Sequence, residues 1–472
     1  MAFGRYLRQL RERRGLSLGD VCDLSRSSPE PIDKGTISRL ERGQQTPSIF
    51  RLGPFCRIYE ISPDALIERM ELDREVDRVG APDTGGRTFD DLYHAGGDAV
   101  VRGNRNWEAY ACFRDALPIA PKDKRIAAWI NLITMIRTLG KNALALHELR
   151  EIAASETLDP GQDALVHERL SNCCRCLGDM KQAEVYAETA IERATKLGDP
   201  RILAHALRTR ASAAIDLEQW PAANDYLLRA LASYRDGVGG VSQLVPSPAF
   251  EAQTFLSLAE CALHDRNMSR ARRLTLTAQR IGQDHELPQS LAYCELLLGW
   301  IDEAGGKVDR ALARWRRATV LAGELNSPRI AFTAEVEILR QAMSAGDTAR
   351  ARASKRRLAR LVPWVPRHIP AFRLYTQLTR QGNAPPRAAH KGDPHESQQD
   401  SSGVDDRAGR GAVADIDERR DERRRPDKRP GGRRVVADDG RLRAGDLADE
   451  RPGVRPGGIR LQGVQPDLDR EH

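Results

Sequence analysis

The chain has 472 residues, 40% of them hydrophobic, with 74 Lys and Arg against 67 Asp and Glu and a net charge of +7. That length supports more than one buried core, and the positive excess suits a polyanionic partner without requiring one. With no apolar run of bilayer length, a basic and interrupted start in MAFGRYLRQLRERRG, and eight scattered cysteines, the expectation is a cytoplasmic chain in a reducing compartment, away from membranes. No phosphate loop, helically spaced metal histidines or serine elbow occurs, so no enzyme, cofactor or metal is expected.

In chain order, Leu7 and Leu10 give a first helix its inward side, Gly15 stops it, and Ser17 caps a second helix with Asp20 at the three-residue offset of a capping box. After the turn RSSPEPI, Asp33 caps a third helix through KGTISRLER, with Ile37 and Leu40 buried and Gly43 ending it. A fourth follows in SIFRLGPFCRIYE, where Pro54 is expected to kink or split it. Residues 1–72 therefore read as one domain, and the polar stretch 73–88, DREVDRVGAPDTGGRT, as a linker.

Residues 89–380 read as helical throughout. Ala109, Ala145, Ala183, Ala223, Ala271, Ala311 and Ala351 recur at separations of 36, 38, 40, 48, 40 and 40. Seven residues after each stands Ala116, Ile152, Ala190, Ala230, Ala278, Ala318 or Leu358. Such a period points to a solenoid of paired helices rather than an irregular bundle, small residues letting helices approach and larger ones such as Phe113 and Trp315 filling the gaps. Cys173, Cys174 and Cys176 read as small apolar filler, and Trp107, Trp129, Trp220, Trp300 and Trp315 as repeat core, with Trp300 also at a groove position. Residues 381–472 have no Phe, Tyr or Trp, so either a disordered tail or a GC-rich gene read past a shifted frame accounts for them.

The repeats resemble the tetratricopeptide family, on Leu298-Gly299, Ala311, Trp315 and Ala318 and on Leu170, Gly178, Ala183 and Ala190. Their length is closer to the long-helix repeats of bacterial tetratricopeptide regulators. Residues 3 to about 70, with TISRLERG as the most specific element, resemble the helix-turn-helix domain of the Cro and repressor family. The fold expected is all-α: a helix-turn-helix domain, a tetratricopeptide-like α-solenoid and a disordered tail.

The resemblance implies that the third helix enters the DNA major groove. By position Lys34, Thr36 and Arg39 would face bases, with Gly35 where the family often has another reading side chain, and Ser17, Ser38, Arg42, Gln44 and Gln45 would meet phosphates. Glu41 would pair with Arg11 and lock the first and third helices together. The sequence departs from the family in Leu18, which stands where a glutamine often begins the second helix, and in a turn about five residues longer than usual.

Within the repeats, the register of Leu298-Gly299 turns Arg137, Asn172, Arg175, Arg208, Gln253 and Trp300 toward a concave groove. There Asn172 and Gln253 would bond a peptide main chain and the arginines an acidic group. Two readings of function stand. One is a homodimeric transcription regulator that binds double-stranded DNA and whose repeats bind a peptide or protein signal, dimerise, or both. The other is a scaffold whose repeats recruit proteins while the N-terminal domain tethers or dimerises.

Overall fold

The structure, a computed structural model, describes residues 2–48, 51–80, 84–101, 105–155, 158–237, 247–325 and 327–381, and their regular elements are all helical. The expected tail lies outside the described residues, apart from position 381. Helix α1 (Ala2–Arg13) leads into α2 (Leu18–Ser25), which begins at a capping box: the Ser17 hydroxyl accepts from the Asp20 N–H and the Asp20 carboxylate from the Ser17 N–H. Helix α3 (Lys34–Glu41) is followed by α4 (Leu52–Ile58) and α5 (Pro63–Val79).

Two expectations need correcting here. Pro54 neither kinks nor splits α4, because the helix starts at Leu52 and the proline sits in its first turn, where no intrahelical acceptor is lost. Residues 73–79, expected as linker, are the last turns of α5, which the left-handed Gly80 closes.

The repeats follow as antiparallel pairs: α6 (Phe89–Val101) with α7 (Asn106–Ala116), α8 (Arg125–Thr138) with α9 (Asn142–Ser155), α10 (Pro160–Leu177) with α11 (Met180–Leu197), and α12 (Pro200–Asp216) with α13 (Trp220–Asp236). Then come α14 (Pro248–His264) with α15 (Met268–Asp284), α16 (Pro288–Ala304) with α17 (Val308–Glu324), α18 (Pro328–Ser344) with α19 (Thr348–Leu361), and a final α20 (Pro370–Gln381). Each periodic alanine lies on the second helix of its pair, and all but Ala351 are fully buried. Proline marks the first helices: Pro160, Pro200, Pro248, Pro288 and Pro328 each open one, at the position where a missing N–H costs nothing. Glycine is required at Gly299, where a Cβ would fall inside the Trp315 indole; that tryptophan is fully buried and donates to the Leu296 carbonyl at 3.3 Å.

First helices of neighbouring pairs pack on one another, α10 on α12, α12 on α14, α14 on α16 and α16 on α18, so they line the inside of the curve. One hydrophobic core runs without a break from Tyr6 and Leu7 through Leu66 and Leu72 to Leu149 and Cys173, joining the N-terminal domain to the first repeats. Among the described residues no helix is long and apolar enough to cross a membrane.

Candidate nucleic-acid interface and the inner face of the repeats

Helix α3 is fixed at both ends by its own sequence. The Asp33 carboxylate accepts from the Thr36 N–H at 2.9 Å and the Thr36 hydroxyl at 2.6 Å. At the other end Gly43 takes φ 69°, and the Gly43 and Gln44 amides return to the Leu40 and Arg39 carbonyls, both at 2.9 Å, in a Schellman closure. Ile37 and Leu40 point into the core. What remains outward is Lys34, Gly35 and Arg39, then Arg42, Gln44 and Gln45, all exposed.

Thr36 does not join that outward set. It is buried, its hydroxyl donates to Asp33, and it accepts from Arg39 Nη2 at 3.0 Å, so it aims Arg39 rather than offering a methyl to a base. Ser17 is taken up by its capping box, and Lys34 lies over Gly19 at the start of α2, where its ammonium would meet a Cβ at 3.0 Å. Ser38 is half-buried, and its carbonyl accepts from Arg42 Nε at 3.2 Å.

Arg11 and Glu41 meet in a two-pronged ion pair, Nε to Oε1 at 2.7 Å and Nη2 to Oε2 at 3.0 Å, and Arg11 Nη1 also donates to the Leu16 carbonyl at 2.8 Å. Both side chains are nearly buried, so the pair ties α1 and the end of α3 to the turn before α2. Gly4 lets α1 come this close: a Cβ there would strike the Leu40 and Glu41 carbonyls. The long turn before α3 is likewise pinned, since buried Ser25 bonds both the N–H and the carbonyl of buried Ile32, and Arg57 of α4 donates to Ser28.

The sequence reading missed how this domain meets the repeats. Glu148 on α9, nearly buried, accepts from the Tyr6 hydroxyl at 2.7 Å and the Trp129 indole at 3.2 Å and pairs with Arg13 at 3.3 Å. The ammonium of Lys141, just before α9, bonds Glu71 at 2.9 Å and Glu75 at 3.2 Å, both on α5. Glu68, also on α5, caps α9 from outside by accepting from the Leu144 N–H at 2.8 Å. Burial pushes the Glu68 carboxyl up to about 7, against the pull of that N–H and of Lys141. These partners lie 19 to 142 residues apart, beyond the reach of helical spacing.

On the inner face the expected groove residues hold one another. Asn172 donates to the Glu168 carboxylate at 2.7 Å and to Thr209 at 3.0 Å; Arg208 donates to Gln253 at 3.2 Å. Arg175 donates to Asp216 at 2.6 Å, and Trp300 packs between the cores of two neighbouring repeats. Asp216, which is 3% exposed, also accepts from Arg329 at 2.7 Å and faces His368 at 3.6 Å, so α18 and the segment after α19 reach back to α12. Burial alone would raise the Asp216 carboxyl; Arg329 and Arg175 overcome it and hold it well below the usual range.

Four arginines nonetheless crowd this face. Arg137, Arg175 and Arg208 each keep a buried Nε with no hydrogen-bond partner. Burial and the neighbouring Arg169, Arg137 and Arg175 bring the Arg208 guanidinium down to about 10, with Glu168 acting the other way. Nearby His205, packed 4.6 Å from the Phe250 ring, is pushed down to about 3 by burial and by Arg208. Cys173 and Cys174 are buried on α10, and burial raises the Cys174 thiol to about 11, away from reactivity. Among the described residues no group of His, Cys, Asp and Glu is placed to hold a metal.

Comparison with known proteins agrees with this geometry at the N-terminus, where residues 2–70 match the family described as a helix-turn-helix domain. No curated protein sequence matches the chain. Among solved structures, the Rap conjugation gene regulator of the plasmid pLS20, in complex with the Phr* peptide, is 14% identical with a TM-score of 0.47, covering 81% of this chain and 97% of that one. PlcR of Bacillus thuringiensis, in complex with the peptide PapR7 and DNA, is 14% identical with a TM-score of 0.38, covering 62% and 98%. A tetratricopeptide repeat protein of Parabacteroides merdae is 16% identical with a TM-score of 0.28, covering 51% and 99%. The chain thus carries a helix-turn-helix domain over residues 2–70, followed by a tetratricopeptide-like array of helix pairs.

Proposed function

We propose that the chain is a non-enzymatic, sequence-specific DNA-binding transcription regulator of the Cro and repressor type, acting in the cytoplasm as a dimer. The observation that carries this is α3, a helix of a helix-turn-helix domain whose two ends are closed by its own chain and whose outward edge presents Lys34, Arg39 and Arg42 to solvent. Arg39 suits the O6 and N7 acceptors of guanine, with Lys34 beside it, while Arg42, Gln44 and Gln45 suit phosphates. A dimer follows from the few base pairs that one such helix reads. The test is selection of duplexes from a random library by the full chain; enrichment of a shared sequence, lost in Lys34→Ala/Arg39→Ala, is the expected result.

The inner face of the repeats is the sensor in this proposal. Its arginine surplus, with unmet N–H groups on Arg137, Arg175 and Arg208, suits an acidic group on a peptide or protein segment, with Asn172 and Gln253 turning to its main chain and Trp300 beside it. Such a ligand must displace internal partners, which couples its binding to the packing of neighbouring repeats. Titration of the full chain with short acidic peptides should show binding that Arg208→Gln weakens at least tenfold. Absence of binding by every peptide would remove the sensor and leave the DNA reader standing.

A further inference from the structure

The net positive charge of this chain does not lie on its helix-turn-helix domain. Residues 1–72 hold 12 Lys and Arg against 10 Asp and Glu, whereas residues 265–380 hold 21 against 11. Within that region α19 is the extreme, with Arg350, Arg352, Lys355, Arg356, Arg357 and Arg360 and no acid in 14 residues. Arg350 and Arg357 pair with Asp347 and Glu335. Arg352, Arg356 and Arg360 are exposed and form no ion pair among the described residues. Spaced four apart, they share one side of α19, opposite the buried Ser354 and Leu358.

The same three positions, one, five and nine residues after the periodic alanine, differ from repeat to repeat. On α11 they are Glu184, Glu188 and Glu192; on α17 the middle one is Arg316, exposed like its α19 equivalent Arg356. A positive side is therefore a property of the last repeats and not of the repeat pattern. It also has a cost: like charges four apart on a helix repel, and arginines near the start of α19 face the positive end of its dipole. No hydrogen bond or ion pair among the described residues uses these three guanidiniums.

We propose that the outer side of α19, carried by Arg352, Arg356 and Arg360 and extended by Arg316, is a second DNA-binding surface that holds the phosphate backbone of a duplex without reading sequence. This rests on the reading of α3 as a DNA reader. The domain that reads carries only two net positive charges, so cations elsewhere in the chain can add to the counterion-release term that its own phosphate contacts begin. Arginine forks match phosphate oxygens in geometry, as lysine does not. Another complementary surface, the acidic side of α11 in a second copy, is already engaged in its own chain: Glu184 and Glu188 share Arg210, and Glu192 pairs with Lys196.

The test measures binding of the full chain to a random-sequence duplex of 60 base pairs between 50 and 200 mM salt. Wild type is compared with Arg352→Gln/Arg356→Gln/Arg360→Gln and with Lys34→Ala/Arg39→Ala. All three changes on α19 are at exposed sites, and relief of like-charge repulsion predicts a melting temperature no lower than wild type. The expected result is that the triple variant lowers the slope of log K against log salt by about 2.7, at about 0.9 per phosphate released. An unchanged slope in the triple variant overturns the second surface, and loss of the selected duplex alone in the α3 variant then leaves the reader intact. A lowered slope in the triple variant with no selected sequence for wild type sinks the reader and supports the surface. If the triple variant keeps DNA binding but halves the mass of the particle by light scattering, the surface is an interface between copies and the proposal fails.

Discussion

Two arginine-bearing regions of this molecule are built on opposite principles. The outward edge of α3 leaves Lys34, Arg39 and Arg42 in solvent, with Arg39 steadied by Thr36 and Arg42 by the Ser38 carbonyl. The inner face of the repeats buries Arg175 and Arg208 and gives each a partner on another helix. An exposed, lightly held cation can be given to a ligand at little cost to the fold; a buried one is part of the fold, and a ligand must compete for it. Between the two regions lies a junction of the second kind, where Glu148 gathers Tyr6, Arg13 and Trp129.

This contrast breaks most sharply at Glu148 and Asp216. Glu148→Ala leaves the buried Tyr6 hydroxyl and Trp129 indole N–H without their acceptor, and Asp216→Ala removes the carboxylate shared by Arg175 and Arg329; each should cost about 2 to 5 kcal/mol in urea unfolding, whereas Arg39→Ala should change stability by under about 0.5 kcal/mol. Comparable losses in all three would erase the distinction.

The Arg11 and Glu41 pair sits below α3 and sharpens it from the other side. Glu41→Ala should cost about 3 kcal/mol, and the double change with Arg11→Ala should cost less than the sum of the singles, because neither charge is then stranded. A strictly additive cycle would show that the pair contributes no coupling. In the repeats, Gly299→Ala forces a methyl into Trp315 and should cost about 1 to 3 kcal/mol.

The smallest effect is one of pH, at the junction. The Glu68 carboxyl stands near 7 in the folded chain and near 4.3 when unfolded, so its contribution to stability is whole below about pH 4.3 and is lost as pH rises through 7. Glu68→Gln should keep the bond from Leu144 and remove this loss, raising the melting temperature at pH 8 by about 2 °C and leaving pH 4 unchanged. An equal shift at both values would place the effect elsewhere.

What could be read in the sequence was what is local or periodic. The caps at Ser17 and Asp33, the stop at Gly43, the buried Ile37 and Leu40 and the alanine ladder depend on spacings of three, four, seven or about forty. Arg11 and Glu41 were found through a family resemblance, since 30 residues separate them and no periodicity links them. Thr36 was misassigned because its position on α3 was legible while its bonds to Asp33 and Arg39 were not. Pro54 was misread because a one-turn shift of a helix start turns a breaker into a tolerated residue. The junction at Glu148 and the closure of Arg329 on Asp216 join residues up to 142 and 113 positions apart, and only the packed superhelix brings them together.

The central claim is that α3 reads sequence in duplex DNA. The direct measurement is competition binding of the full chain to its selected duplex and to a scrambled one, for wild type, Arg39→Ala and Arg42→Ala across a salt series. The account predicts that Arg39→Ala costs about 1 to 3 kcal/mol on the selected duplex alone, while Arg42→Ala weakens both equally and lowers the salt slope by about 0.9. Equal loss on both duplexes for Arg39→Ala, or no selected duplex at all, would contradict it.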